Sequence, residues 1–170
     1  MKLKHKIAHM KSAFNYAQCS TAERLKVGCI IVKNDRIISI GYNGMPSGWN
    51  NCCEQKQYSP WPDAPYINEK EIWHLFPLRD EIGKYNLITL PEVLHAESNA
   101  IAKLARSTES GENASAFITH QPCLDCAKLL YQSGIVEVYY CLPYRLDTGV
   151  KFLQQCNVTV ERLSYDDVFQ

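Results

Sequence analysis

Ser115-Ala116-Phe117-Ile118-Thr119-His120-Gln121-Pro122-Cys123-Leu124-Asp125-Cys126 decides how this chain folds. Ala116-Phe117-Ile118-Thr119 is apolar, partly β-branched and aromatic, and predicts a strand. Pro122 then suits the start of a helix, because its fixed φ is pre-set for the first turn and its missing N–H is not needed there. Strand, short turn and helix in succession is the unit from which layered α/β sheets with parallel strands are built. Ligands of such sheets collect outside the carboxyl ends of the strands, and here that position carries two thiols. Cys123 and Cys126, three residues apart on the first turn, aim at one point, and the positive end of the helix favours their thiolate forms.

The same reading extends outward in both directions. Leu3, Ile7, Met10, Phe14 and Ala17 recur at helical spacing among Lys2, Lys4, His5, Lys6, His9 and Lys11, predicting a first helix to about Gln18 with a solvated basic face. Val27-Gly28-Cys29-Ile30-Ile31-Val32-Lys33 and Arg36-Ile37-Ile38-Ser39-Ile40, separated by Asn34-Asp35, read as a hairpin. His95 and Glu97 open a helix running through Asn99 to Ala105. A strand from Ile135 to Tyr140, a helix after Leu146 and a strand near Val158-Thr159-Val160 complete the alternation. Between Glu54 and Leu94 the pattern breaks: Pro60, Pro62, Pro65, Pro77 and Pro91 are crowded among Trp61, Tyr66, Trp73 and Phe76. The segment at about 54–94 therefore reads as an insertion, a packed flap or interface element, within one domain spanning 1–170.

His95-Ala96-Glu97 adds an imidazole to the two thiols. A structural zinc usually closes its tetrahedron with four Cys or His ligands, whereas a catalytic one leaves a position open, and His95, Cys123 and Cys126 make three. Glu97 then has no ligand role and is free to handle protons. Neither motif means much alone, since CxxC also occurs as a redox pair. H-x-E followed by P-C-x-x-C is the signature of the zinc-dependent nucleobase deaminases, and the chain resembles them on these residues.

Composition restricts the substrate. The 170 residues carry 18 Lys+Arg against 18 Asp+Glu, a formal net charge of zero, with no long block of like charge. That lacks the electrostatic footprint of a protein gripping long nucleic acid, so a small substrate fits better. No apolar run is long enough to cross a membrane and the N-terminus lacks a secretory apolar core, predicting a cytoplasmic protein with no membrane partner. Eight cysteines in a chain of this length suit a reducing compartment better than a disulfide scaffold. Cys29, Cys141 and Cys156 read as small buried hydrophobes. Cys19, Cys52 and Cys53, with His74, are either a second, structural zinc site or ordinary thiols and a hydrogen-bonded histidine.

The resemblance narrows further on Val27-Gly28-Cys29-Ile30-Ile31-Val32, Gly41-Tyr42-Asn43-Gly44-Met45-Pro46-Ser47-Gly48, Asn51-Cys52-Cys53, His95-Ala96-Glu97-Ser98-Asn99-Ala100-Ile101 and Pro122-Cys123-Leu124-Asp125-Cys126-Ala127-Lys128. On these stretches the chain is similar to the deoxycytidylate (dCMP) deaminases of the cytidine deaminase-like superfamily. That resemblance implies a three-layer α-β-α sandwich around a central mixed five-stranded sheet. It implies zinc on His95, Cys123 and Cys126, with Glu97 as proton shuttle in the conversion of dCMP to dUMP and ammonia. Asn43 would bind the deoxyribose hydroxyl, and Arg24 and Tyr140 would lie at the 5′-phosphate. An arginine suits that role independently, since its guanidinium donates two parallel hydrogen bonds, although Arg24 could equally interact with carbonyls at a helix end. Asn43 could serve as a turn former between glycines. The family further implies a homohexamer activated by dCTP and inhibited by dTTP, with Mg2+ accompanying the triphosphate. Deamination of another cytosine nucleoside or nucleotide, or of tRNA or single-stranded DNA, remains the alternative activity, and a non-enzymatic zinc protein the alternative class.

Overall fold

The computed structural model describes residues 1–60 and 75–169. Trp61, Tyr66, Trp73 and His74 lie outside the described residues. Helix α1 (Leu3–Ala17) leads into β1 (Gly28–Lys33) and β2 (Arg36–Tyr42). β3 (Glu54–Tyr58), β4 (Leu78–Arg79) and β5 (Lys84–Thr89) follow, and then α2 (Ala96–Ala105), β6 (Ala114–His120) and α3 (Leu124–Gln132). β7 (Ile135–Leu142), α4 (Thr148–Gln155), β8 (Thr159–Arg162) and α5 (Tyr165–Phe169) end the chain.

The main sheet has the order β2-β1-β6-β7-β8. β1 pairs antiparallel with both β2 and β6, whereas β6–β7 and β7–β8 are parallel, so the sheet is mixed. The hairpin turns through Asn34 and Asp35, both left-handed (φ 52° and 60°), as a two-residue connection matching strand twist requires. The parallel members are joined through α3 and α4, as crossovers must be.

The central strands read as continuous apolar runs because both faces are covered. Alternate residues supply two cores. Cys29, Ile31, Ala116, Ile118 and Val138 pack with Ala100, Leu130 and Leu153 of α2, α3 and α4. Ile30, Val32, Phe117 and Tyr139 pack on the opposite side with Met10 and Ala13 of α1 and with Val168 of α5. Phe117 and Tyr139 stack with ring centroids 4.6 Å apart. Burying each such large side chain contributes about 1.5–3 kcal/mol. Three layers, helix on sheet on helix, result. Gly41 fixes how closely α2 approaches: a Cβ there would lie 2.0 Å from the Ala96 carbonyl oxygen.

The 54–94 stretch is more regular than its composition suggests. β3, β5 and β4 form a second, antiparallel sheet in that order, with Glu54 opposite Thr89 at one end. Its Glu-Gln-Lys-Gln-Tyr strand is held by polar contacts rather than an apolar face: Lys56 and Tyr58 both reach the Asp80 carboxylate, which also accepts from the Ile82 and Gly83 amides. Cys29 and Cys141 are buried as expected, but Cys156 is only half-buried. Cys53 is buried beside the Thr21 hydroxyl (3.4 Å), while Cys19 and Cys52 are exposed. These three thiols form no metal-holding group among the described residues.

Candidate metal and substrate site

Two helix N-termini converge beyond the carboxyl end of β6. His95 is the N-cap of α2 and Cys123 the N-cap of α3, both with extended backbone, and neither side chain caps its own helix. Cys123 therefore stands one residue ahead of the first turn, not on it, and Pro122 precedes the cap. N-caps usually carry Ser, Thr, Asp or Asn, which bond back to the helix. Here both side chains turn outward instead, toward each other. The Cys126 sulfur lies 3.3 Å and the Cys123 sulfur 3.7 Å from His95 Nδ1. Zinc bonded to nitrogen at about 2.05 Å and to sulfur at about 2.3 Å sets tetrahedral N–S edges of about 3.6 Å, so the three ligand atoms fit such an ion. They form the one metal-holding group among the described residues. Gly149 keeps the cysteine loop in place: a Cβ there would lie 2.3 Å from the Pro122 carbonyl oxygen and 2.8 Å from that of Cys123.

Charge is arranged to match. Hydrogen bonds from Cys126 and His95 bring the Cys123 thiol down to about 4. Cys126 moves upward, through its bond to Cys123 and then burial. The bond to Cys123 raises the His95 imidazole above its ordinary value. Glu97, on the first turn of α2, is only 4% exposed, and burial pushes its carboxyl above the usual range. A buried carboxyl beside metal ligands, but outside the ligand set, is free to gain and lose a proton.

These groups line one cavity of about 270 Å³, near the lower end for small-molecule sites. His95, Glu97 and Cys123 share its wall with Arg24, Asn43, Glu54, Thr89, His120, Tyr144 and Arg145. Asn43 pins the neighbouring loop: its Oδ1 accepts from the Val27 amide and its Nδ2 donates to the Leu25 carbonyl, both at 2.8 Å. One N–H and one lone pair of the amide remain for a ligand. Arg24 is held from the second sheet. Glu54 accepts from the Glu23 and Arg24 amides (3.2 Å each), and the Arg24 guanidinium donates to Thr89 Oγ1 at 3.1 Å.

Tyr140 is not among the lining residues: it lies inside β7, half-buried, and its carbonyl accepts from Leu163. Tyr144 and Arg145 occupy the wall instead, in the loop after β7. The carboxyl-end rule that located the cysteines at β6 applies equally to its parallel neighbour β7, and would have pointed to this loop.

A three-ligand metal group with a free buried carboxyl, at the strand ends of a three-layer α/β sheet, defines a zinc-dependent hydrolytic enzyme of the cytidine deaminase-like fold. Residues 3–142 match the family model for the cytidine and deoxycytidylate deaminase zinc-binding region, and the chain belongs to that family. It is 34% identical over 149 residues to the deoxycytidylate deaminase of Enterobacteria phage T4, covering 79% of this chain and 76% of that one. To the deoxycytidylate deaminase of Pongo abelii it is 35% identical over 159 residues, covering 92% and 71%. Among solved structures it is similar to the dCMP deaminase of cyanophage S-TIM5 in complex with dCMP and dUMP. That match has a TM-score of 0.75, 40% identity and coverage of 96% and 99%. The chain is thus a deaminase, a hydrolase acting on a C–N bond. No described helix is long and apolar enough to cross a membrane.

Proposed function

We propose that this deaminase acts on dCMP, releasing ammonia and leaving dUMP. The observation that carries the reading is a single cavity uniting the His95-Cys123-Cys126 group and Glu97 with two arginines, Arg24 and Arg145. A pyrimidine monophosphate needs both ends. Guanidinium groups suit the phosphate because they donate in parallel pairs and stay charged at any working pH. Tyr144 adds a hydroxyl to that end, taking the role expected of Tyr140, and Asn43 offers its remaining amide valences to the sugar. The S-TIM5 relative, similar over nearly the whole chain, supports the same substrate.

Zinc on His95, Cys123 and Cys126 would lower the pKa of a bound water towards neutrality and so supply the nucleophile. Glu97 handles the protons. Its carboxylate takes one from the water and delivers it to N3 of cytosine, which makes C4 electrophilic. Oxygen adds to C4, and a proton passed through Glu97 to the amino nitrogen lets the C4–N bond break. The raised carboxyl, kept from water by burial, suits a group that must alternate between both forms in each turnover. Cys29, wholly buried and held as a neutral thiol first by burial and then by the Glu97 charge, lies too far from its thiolate form to compete.

Activation by dCTP with Mg2+, inhibition by dTTP and a homohexameric assembly extend the proposal along the family resemblance. The deciding assay follows deamination of dCMP, deoxycytidine and dCTP by zinc-loaded protein, with and without dCTP and dTTP. Turnover of dCMP in preference to the other two is expected. Turnover of deoxycytidine at equal efficiency would remove the phosphate from the account, and indifference to both triphosphates would remove the regulation.

A further inference from the structure

His120 ends β6 on the cavity wall, three residues before Cys123, and the mechanism above leaves it without a task. Its Nδ1 lies 3.0 Å from the Thr119 hydroxyl oxygen, which accepts from the Gly28 amide at 3.1 Å. Thr119 is fully buried, and its hydroxyl has no further hydrogen-bond partner among the described residues. A buried hydroxyl proton left unbonded costs about 1–3 kcal/mol. The Gly28 amide has no choice but to donate, so the hydroxyl proton goes to His120 Nδ1. That bond makes Nδ1 an acceptor and places the ring's proton on Nε2. Nε2 has no partner among the described residues and is not sealed from solvent, so it opens on the cavity. Burial moves the imidazole below its ordinary value, consistent with a neutral ring.

Resting on the dCMP reading, we infer that His120 is a specificity residue that donates Nε2–H to an uncharged oxygen of the bound nucleoside, the pyrimidine 2-carbonyl or the sugar hydroxyl. A neutral donor of fixed tautomer matches a neutral acceptor, and the phosphate already has two guanidinium groups along the same wall. The tautomer comes from backbone geometry: Gly28 and Thr119 lie at the next rung after the Cys29–Ile118 pair of the β1–β6 ladder, so the β1 amide sets the orientation of a β6 hydroxyl and, through it, of the ring.

Nitrogen-15 NMR of histidine-labelled, zinc-loaded protein tests this without activity, with His120→Gln assigning the resonance. The expected spectrum at neutral pH shows a bare Nδ1 and a protonated Nε2. The product dUMP should shift the Nε2–H resonance, and inorganic phosphate alone should not. A dideoxy analogue of dUMP that shifts it equally would assign the carbonyl; one that does not would assign the sugar hydroxyl. In kinetics, His120→Phe should lose about tenfold in kcat/KM for dCMP with zinc content unchanged, while His120→Gln, which places an N–H near the same point, retains most of it. A proton on Nδ1, a shift reproduced by phosphate alone, or a fully active His120→Phe would overturn the role of His120 while leaving the substrate intact. Wild-type protein that neither binds dUMP nor turns over dCMP would overturn the substrate reading, and this inference with it.

Discussion

In the five-stranded sheet, the residues that reach the cavity leave a strand end and the starts of two helices packed on the sheet: His120 at the end of β6, His95 and Glu97 at the start of α2, and Cys123 at the start of α3. In the three-stranded sheet they are Glu54 and Thr89, a single rung at the solvent edge. The first sheet holds the reacting groups through packing: Gly41 lets α2 press against β2, and Gly149 lets α4 press against the cysteine loop. The second holds Arg24 through two hydrogen bonds, and its neighbour Glu23 through a third. Chemistry that needs ligand atoms placed within a few tenths of an ångström is carried by the rigid part. Recognition of a phosphate, which tolerates adjustment, falls to the second sheet in the proposed reading.

That contrast predicts a gradation of effects. Cys123→Ser should show the largest, losing zinc and turnover together, because a hydroxyl replaces a thiolate held at about 4; metal analysis beside the assay checks it. Gly41→Ala comes next. Its methyl would meet the Ala96 carbonyl oxygen at 2.0 Å, forcing α2 outward, and denaturant unfolding should show a loss of about 2–3 kcal/mol accompanied by reduced activity. If Gly41→Ala were as stable as wild type, the claim that packing positions α2 would fail.

Changes in the small sheet should instead separate KM from kcat. Thr89→Val removes the Arg24 partner, and steady-state kinetics should show KM for dCMP raised about threefold to tenfold, with kcat and zinc content unchanged. A matching fall in kcat would mean that the second sheet also shapes the reacting end. The smallest effect belongs to Asp80, half-buried and held at about 2, first by Lys56 and then by Tyr58 and the turn amides. Its folded pKa lies below the ordinary 3.8, so its contribution is complete above about pH 4 and is lost as pH falls through about 2. The melting-temperature gap between wild type and Asp80→Asn should be constant from pH 5 to pH 8 and close between roughly pH 4 and pH 2. It should also shrink in high salt.

The same contrast explains what the sequence disclosed. β1 and β6 are buried on both faces and β7 along its middle, so their apolar runs announce them, and the ligands follow as short motifs at helix starts, where spacing alone fixes direction. Cys123 was displaced by one residue because Pro122 precedes the cap instead of occupying the first helical position. Glu54-Gln55-Lys56-Gln57-Tyr58 carries no apolar alternation, so its strand is legible only from its partner β5. Tyr144 and Arg145 follow Pro143 in an irregular loop without a periodic signal, whereas Tyr140 sits in a readable strand and is not among the residues lining the cavity. The bond of His120 to Thr119 depends on the β1–β6 register, which no local pattern encodes.

The most direct test of the central claim compares Glu97→Ala with wild type, measuring bound zinc and dCMP turnover on the same preparations. The account predicts one zinc per chain in both proteins and turnover reduced at least a hundredfold in the variant, since general acid–base catalysis supplies about 10²–10⁴-fold. Normal turnover by a zinc-loaded Glu97→Ala protein would contradict it, and the proton carrier would have to be sought elsewhere on the cavity wall.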